Sequence, residues 1–134
     1  MPWKIQLNAD LGIVEILYVG DLSPADLRAA AAEGLRVATA AGTGRFLADC
    51  RHLGGGHTLA DLYFLADLVS QMPMAHPFVE AVLLPDGPAA RNRVQFWEDT
   101  GTTHGLTVLG FKDREAAVEW LGQHAPRPTG RGAG

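Results

Sequence analysis

The residues best equipped for chemistry in this 134-residue chain stand close together: Asp49, Cys50, Arg51 and His52, then His57 and Thr58, with Gly54-Gly55-Gly56 between them. A thiol, a carboxylate and two imidazoles have the composition of a metal-ligand set. Structural zinc takes four ordered ligands, whereas these histidines stand five residues apart across a triple glycine that no helix fixes. No metal or cofactor is expected. A thiolate nucleophile at Cys50 would need a base and a third group to orient it. His52 is near in sequence, but adjacent residues of a strand point to opposite faces. The plainer reading of Cys50 is a buried, inert thiol. The three glycines ahead of a helix resemble part of a phosphate loop, without the lysine of that pattern and without a dinucleotide fingerprint. Their N–H groups, beside Arg51, could receive an anion; a flexible connection is the simpler expectation. Thr58 opens the next helix as a plain N-cap or, because a helix N-terminus tolerates added negative charge, as a phosphoacceptor.

Hydrophobic periodicity places these residues on an alternating α/β frame. Residues 3–8 alternate Trp3, Ile5 and Leu7 with Lys4, Gln6 and Asn8, which predicts a strand with one wet face near a sheet edge. Asp10-Leu11-Gly12 is a turn signal, and residues 13–19 form the second arm of an antiparallel hairpin. Ser23-Pro24-Ala25-Asp26 starts a helix to about residue 41, with Leu27, Ala31, Leu35 and Ala38 facing inward. Phe46–Cys50 reads as a short buried strand. Thr58-Leu59-Ala60-Asp61 repeats the capping pattern and opens a helix to about Met72. Phe78–Leu84 is apolar except at Glu80 and suits a central strand. A third helix spans 89–103, with Ala90, Val94, Trp97 and Gly101 on one face and Arg91 and Arg93 read as solvated. Leu106–Phe111 is a fifth strand. Asp113 caps a last helix whose Ala117, Trp120 and Leu121 face inward. His76, between prolines, and His104, near a helix end, read as loop and C-terminal-turn residues. The order is ββαβαβαβα: a five-stranded mixed sheet with four helices, in which a hairpin is followed by right-handed parallel crossovers.

The length suits one domain, expected over 1–124, and the glycines and prolines of 125–134 read as a disordered tail. With 47% apolar and 19% charged residues the chain is far from the disordered class. The net charge is −4, and the last ten residues hold Arg127 and Arg131 but no acid, so the body is more acidic than the whole. Such a body does not attract phosphate backbones by net charge, and no nucleic-acid partner is expected. A single cysteine excludes an internal disulfide. With no apolar run of membrane length and no signal-like start, a cytoplasmic location is expected.

Several segments resemble the SpoIIAA-like family of STAS-related domains: Gly12-Ile13-Val14 and Tyr18-Val19-Gly20-Asp21-Leu22-Ser23 at the start, Arg45-Phe46-Leu47-Ala48-Asp49 in the third strand, and Asp61-Leu62-Tyr63 at the second helix. Phe96-Trp97-Glu98, Gly105-Leu106-Thr107-Val108, Phe111-Lys112-Asp113-Arg114-Glu115-Ala116 and Trp120-Leu121 resemble its closing half. The similarity covers roughly residues 3–122. It implies a STAS-like sandwich related in shape to anti-sigma factor antagonists and, more loosely, to Sec14-type lipid-binding domains. In the antagonists a phosphorylatable serine follows the third strand; here that stretch is Asp49-Cys50-Arg51-His52-Leu53, with no hydroxyl before Thr58.

The second helix carries an apolar surplus. Leu62, Leu65, Ala66, Val69 and Met72 complete an inward stripe, and Tyr63, Phe64 and Leu68 extend the apolar surface well beyond it. The leading expectation is therefore a non-enzymatic interaction or regulatory module, a homodimer or a binder of another protein through this helix. The alternative is a carrier or sensor of a small apolar or lipid ligand, which requires a sizeable apolar cavity. A third reading, an enzyme using Asp49, Cys50 and His52, requires those side chains to converge.

Overall fold

The computed structural model describes residues 2–125; the tail expected over 125–134 lies, but for Ala125, outside the described residues. The elements are β1 (Trp3–Asn8), β2 (Ile13–Gly20), α1 (Pro24–Ala41), β3 (Arg45–Leu53), α2 (Leu59–Gln71), β4 (Val79–Leu83), α3 (Pro88–Thr103), β5 (Thr107–Phe111) and α4 (Arg114–Gln123). The order is the expected ββαβαβαβα. The sheet runs β1-β2-β3-β4-β5; β1 pairs antiparallel with β2, and every later pair is parallel. β1 is an edge, as its polar alternation requires, and β4 lies between two neighbours.

Local chemistry starts each helix. Ser23 Oγ accepts from Asp26 N–H while Asp26 accepts from Ser23 N–H, and Thr58 and Asp61 repeat this reciprocal box at α2. Asp113 accepts from Ala116 N–H at α4. α3 has no side-chain cap and starts on Pro88, whose missing N–H is no loss at that position.

The monotonic strand order decides the layers. Each of the three parallel crossovers advances one strand in the same direction, so right-handed connections put α1, α2 and α3 on one face. Packing bears this out. Leu27 of α1, Leu62, Leu65 and Val69 of α2 and Val94 of α3 meet Ala48, Cys50, Val82 and Val108 of the sheet. Leu35 and Ala38 of α1 close over Val14, Ile16 and Phe46. On the opposite face α4 alone, through Ala117 and Leu121, covers Ile13, Leu47, Val79, Ala81 and Leu83. Trp120 is half-buried there, its ring against Phe111 and His124. Lys4, Gln6, Glu15, Leu17 and Asp49 share that second face with Arg114 around an open groove.

Two segments differ from expectation. β3 runs through Leu53 rather than stopping at Cys50, because β2 is long enough to keep pairing with it. The triple glycine is also pinned rather than flexible. Gly54 N–H donates to Gly20 O, Leu22 N–H to Gly55 O, and Gly55 N–H to Asp21 Oδ1. Glycine is required by this close approach: Gly56 sits at φ +91°, and a Cβ there would lie 2.7 Å from Leu22 O. Gly56→Ala is expected to cost roughly 1–3 kcal/mol of stability, read as a lowered urea midpoint. A midpoint equal to that of the parent chain would mean the loop is not held this way.

Candidate functional site

The cluster around Asp49 does not converge. Asp49 lies on the α4 face of the sheet, where its carboxylate takes a bidentate bond from Arg51, at 2.9 and 2.8 Å, and also accepts from Arg51 N–H. Arg51 holds its carboxyl below the ordinary carboxylate range, against a smaller upward push from burial. Cys50 lies on the other face, 6% exposed, and burial pushes its thiol well up. In an unbroken strand Cys50 and His52, two residues apart, would share a face. The register instead slips between Leu17↔Asp49 and Val19↔His52, so β3 holds one extra residue there. His52 is thereby paired with Val19, on the face away from Cys50, and is exposed. The two side chains part because of a bulge, not because of simple alternation. Among the described residues no three His, Cys, Asp or Glu side chains are grouped to hold a metal ion.

The remaining members of the cluster have structural partners. His57 Nδ1 lies 3.0 Å from Leu22 O, which ties the start of α2 to the loop after β2. Thr58 Oγ1 accepts from Asp61 N–H at 3.2 Å as an N-cap. Gly54 and Gly55 spend their N–H groups on Gly20 and Asp21, so those donors do not form an open anion cradle. Arg93, read as solvated, is half-buried and donates to Gly54 O at 2.9 Å, and its Nε is buried without a partner.

A different group of residues does converge, on a cavity between the sheet and the three helices. Its walls come from β2 (Tyr18), β3 (Ala48, Cys50, Leu53), β4 (Glu80, Val82), α1 (Leu27), α2 (Leu62, Leu65) and α3 (Arg93, Val94, Trp97), with His57 beside them. Its volume is about 60 Å³. A second space of about 40 Å³ shares Tyr18, Leu65, Glu80 and Trp97. Since a water needs ~15 Å³ on this scale, there is room for several waters or a small organic group, and less than an acyl chain requires. The sizeable cavity anticipated for a lipid carrier is not what these walls enclose.

Glu80 is the chemical centre of this space. It is 6% exposed on β4, its neighbours Val79 and Ala81 facing α4 while it faces the helices. Trp97 Nε1 donates to its Oε1 at 2.6 Å, and among the described residues no donor is bonded to Oε2. Burial pushes its carboxyl up from 4.5 to about 7, against the opposing pull of the Trp97 bond. Tyr18 is half-buried overall, with its hydroxyl drawn inside. Burial first, then the nearby Glu80, pushes that hydroxyl well above its ordinary value. The signal in the sequence was a lone acid in an otherwise apolar strand at an interior position.

The outer face of α2 is the second candidate surface. With Leu62, Leu65, Ala66 and Val69 buried, Phe64 remains 66%, Tyr63 47% and Leu68 41% exposed. The Tyr63 and Phe64 rings meet edge-on at 5.7 Å, and Tyr63 also touches the His104 ring. Phe64 and Leu68 border a groove that α1 completes with Pro24, Leu27 and Arg28. No helix among the described residues is long and apolar enough to cross a membrane. Neither a protein-family model nor a curated protein matches the chain.

The Glu80 carboxyl has a pH signature of definite sign. Its folded value, about 7, lies above the ordinary 4.5 of the unfolded chain, so its contribution to stability is complete below pH 4.5 and is lost as pH rises through 7. Glu15, Asp49 and Asp61, all lowered in the fold, act in the opposite sense and cancel when two variants are compared. Tyr18 and Cys50 are raised and stay neutral in this window. Glu80→Gln should therefore gain stability over the parent chain by roughly 3 kcal/mol between pH 4.5 and pH 8. Urea denaturation of both proteins at each pH measures it; a constant difference would show that Glu80 titrates normally.

Proposed function

We propose that this chain is a non-enzymatic, SpoIIAA-like interaction module of the cytoplasm that self-associates through the outer face of α2. The observation that carries this reading is Phe64, a phenyl ring two-thirds in water beside the exposed Tyr63 and Leu68. That helix has already buried a complete inward stripe, so these side chains are not needed for the core. Covering them with a second copy removes contiguous apolar surface from water, the main favourable term in association.

Charge at the border of the patch favours a copy of the same chain. Arg28 and Asp61 both line the Phe64–Leu68 groove, near enough for Arg28 to help lower the Asp61 carboxyl, so the surface carries both signs beside its apolar residues. A twofold arrangement needs a self-complementary surface, and each copy's Arg28 can then face the other's Asp61. The resemblance to STAS-related domains, whose shape is related to that of anti-sigma factor antagonists, is in keeping with the same reading. An assembly of this kind would place regulation in whether the α2 face is covered by its copy or by a competing partner.

Replacing Phe64 and Leu68 together by Asp should convert a dimer into a monomer in sedimentation equilibrium. The thermal midpoint should hold nearly constant, because exposed substitutions change stability by about 0.5 kcal/mol or less. A parent chain that stays monomeric at high micromolar concentration, or a double variant that still dimerises, would end this proposal.

A further inference from the structure

We infer that the cavity beneath α2 is a binding site for a small apolar molecule bearing one hydrogen-bond donor, an alcohol or an amine, received by the Glu80 carboxyl. The inference starts from incomplete hydrogen bonding in a buried place. Glu80 is more than nine-tenths buried, and its carboxyl has one protein donor, Trp97 Nε1, leaving Oε2 unused at the cavity wall. Buried polar groups are normally satisfied, and an unsatisfied one is costly. An acceptor that opens on a small, mostly apolar cavity is what a polar guest would meet.

The other walls define the guest. Ala48, Val82, Leu62 and Leu65 are aliphatic, and Trp97 offers its ring. The body must therefore be apolar, and the volume of about 60 Å³, with about 40 Å³ more beyond Glu80, keeps it to a few heavy atoms. The polar end must donate, since above the titration of Glu80 the carboxylate can only accept. An anionic guest would bring like charges together in a largely buried space. The polar and titratable groups that line the cavity with Glu80 are Tyr18 from β2, Cys50 from β3, Arg93 and Trp97 from α3, and His57 ahead of α2; α1 and α2 contribute only leucines. Of the lining residues, Tyr18, Leu53, His57, Arg93 and Trp97 are half-buried. This site is separate from the outer face of α2, and its test stands or falls apart from that of dimerisation.

Three probes of one shape separate the possibilities: isobutanol, isobutylamine and isobutyrate. Each is titrated into the full chain while the Trp97 indole N–H is followed by heteronuclear NMR, at pH about 8.5 and about 5.5, on either side of the Glu80 titration. At the higher pH the alcohol and the amine should saturate the Trp97 shift, and isobutyrate should bind roughly tenfold more weakly, the worth of a hydrogen bond to a charged group. Lowering the pH should weaken the amine by a similar factor and leave the alcohol nearly unchanged. Glu80→Met should abolish both the saturation by the amine and the preference over isobutyrate. Should that variant fail to fold, Glu80→Gln keeps an acceptor for Trp97 but never ionises, and it should remove the pH dependence of the amine alone. No saturable shift with any probe, meaning a cavity filled by water only, would overturn the inference. Equal binding of isobutyrate, or a pH dependence of the amine that survives at Glu80→Gln, would overturn it as well.

Discussion

Three parallel crossovers that all advance the same way along one sheet constrain everything else in this molecule. Right-handed connection then leaves α1, α2 and α3 no choice of side. The sheet acquires a thick face under three helices and a thin face under α4 alone. α2 becomes the middle helix of the thick layer. Its inner face roofs the cavity through Leu62 and Leu65, and its outer face is left with Tyr63, Phe64 and Leu68. One short helix thus separates the proposed docking face from the proposed cavity site.

The two faces treat the same chemical group in opposite ways. Glu15 and Asp49 lie on the thin face, partly wet, and each is held below its ordinary value by a bidentate arginine, Arg114 and Arg51 respectively. Glu80, on the neighbouring interior strand but turned to the thick face, is bonded by the Trp97 indole instead of an arginine and is pushed up by burial. The difference comes from the alternation of the pleat combined with the unequal covering of the sheet. A carboxyl kept half-protonated near neutrality can accept and donate, which its arginine-paired counterparts cannot do.

The carboxyl ends of β2 and β3, where open α/β sheets commonly meet ligands, are closed here by backbone bonds. Gly20–Leu22 and Gly54–Gly56 lie against each other so tightly that a Cβ on Gly54 would collide with Asp21. His57 and Arg93 add their bonds to Leu22 and Gly54. Of the residues that looked like a site in the sequence, Cys50 and His57 line the cavity and the three glycines clasp the loop beside it, while Asp49 and His52 lie on the other face; Glu80 lies deeper, on β4.

Much of the fold was legible from local pattern. Strict alternation marked β1 as an edge, the paired Ser23/Asp26 and Thr58/Asp61 boxes marked two helix starts, and the surplus at Tyr63, Phe64 and Leu68 announced an exposed apolar face, because these depend on residues within a turn or two of each other. The candidate site was not legible in the same way. The bulge that turns His52 from Cys50 depends on the register between β2 and β3, the pinned glycines depend on a loop more than thirty residues away, and Arg93 is drawn inward by Gly54. Glu80 was visible as one acid among apolar neighbours, yet its meaning required knowing which face three helices would cover and that Trp97, seventeen residues on, would reach it. Periodicity assigns a residue to one of two faces; only the packed layers decide which face is dry, and that decides what a carboxyl there can do.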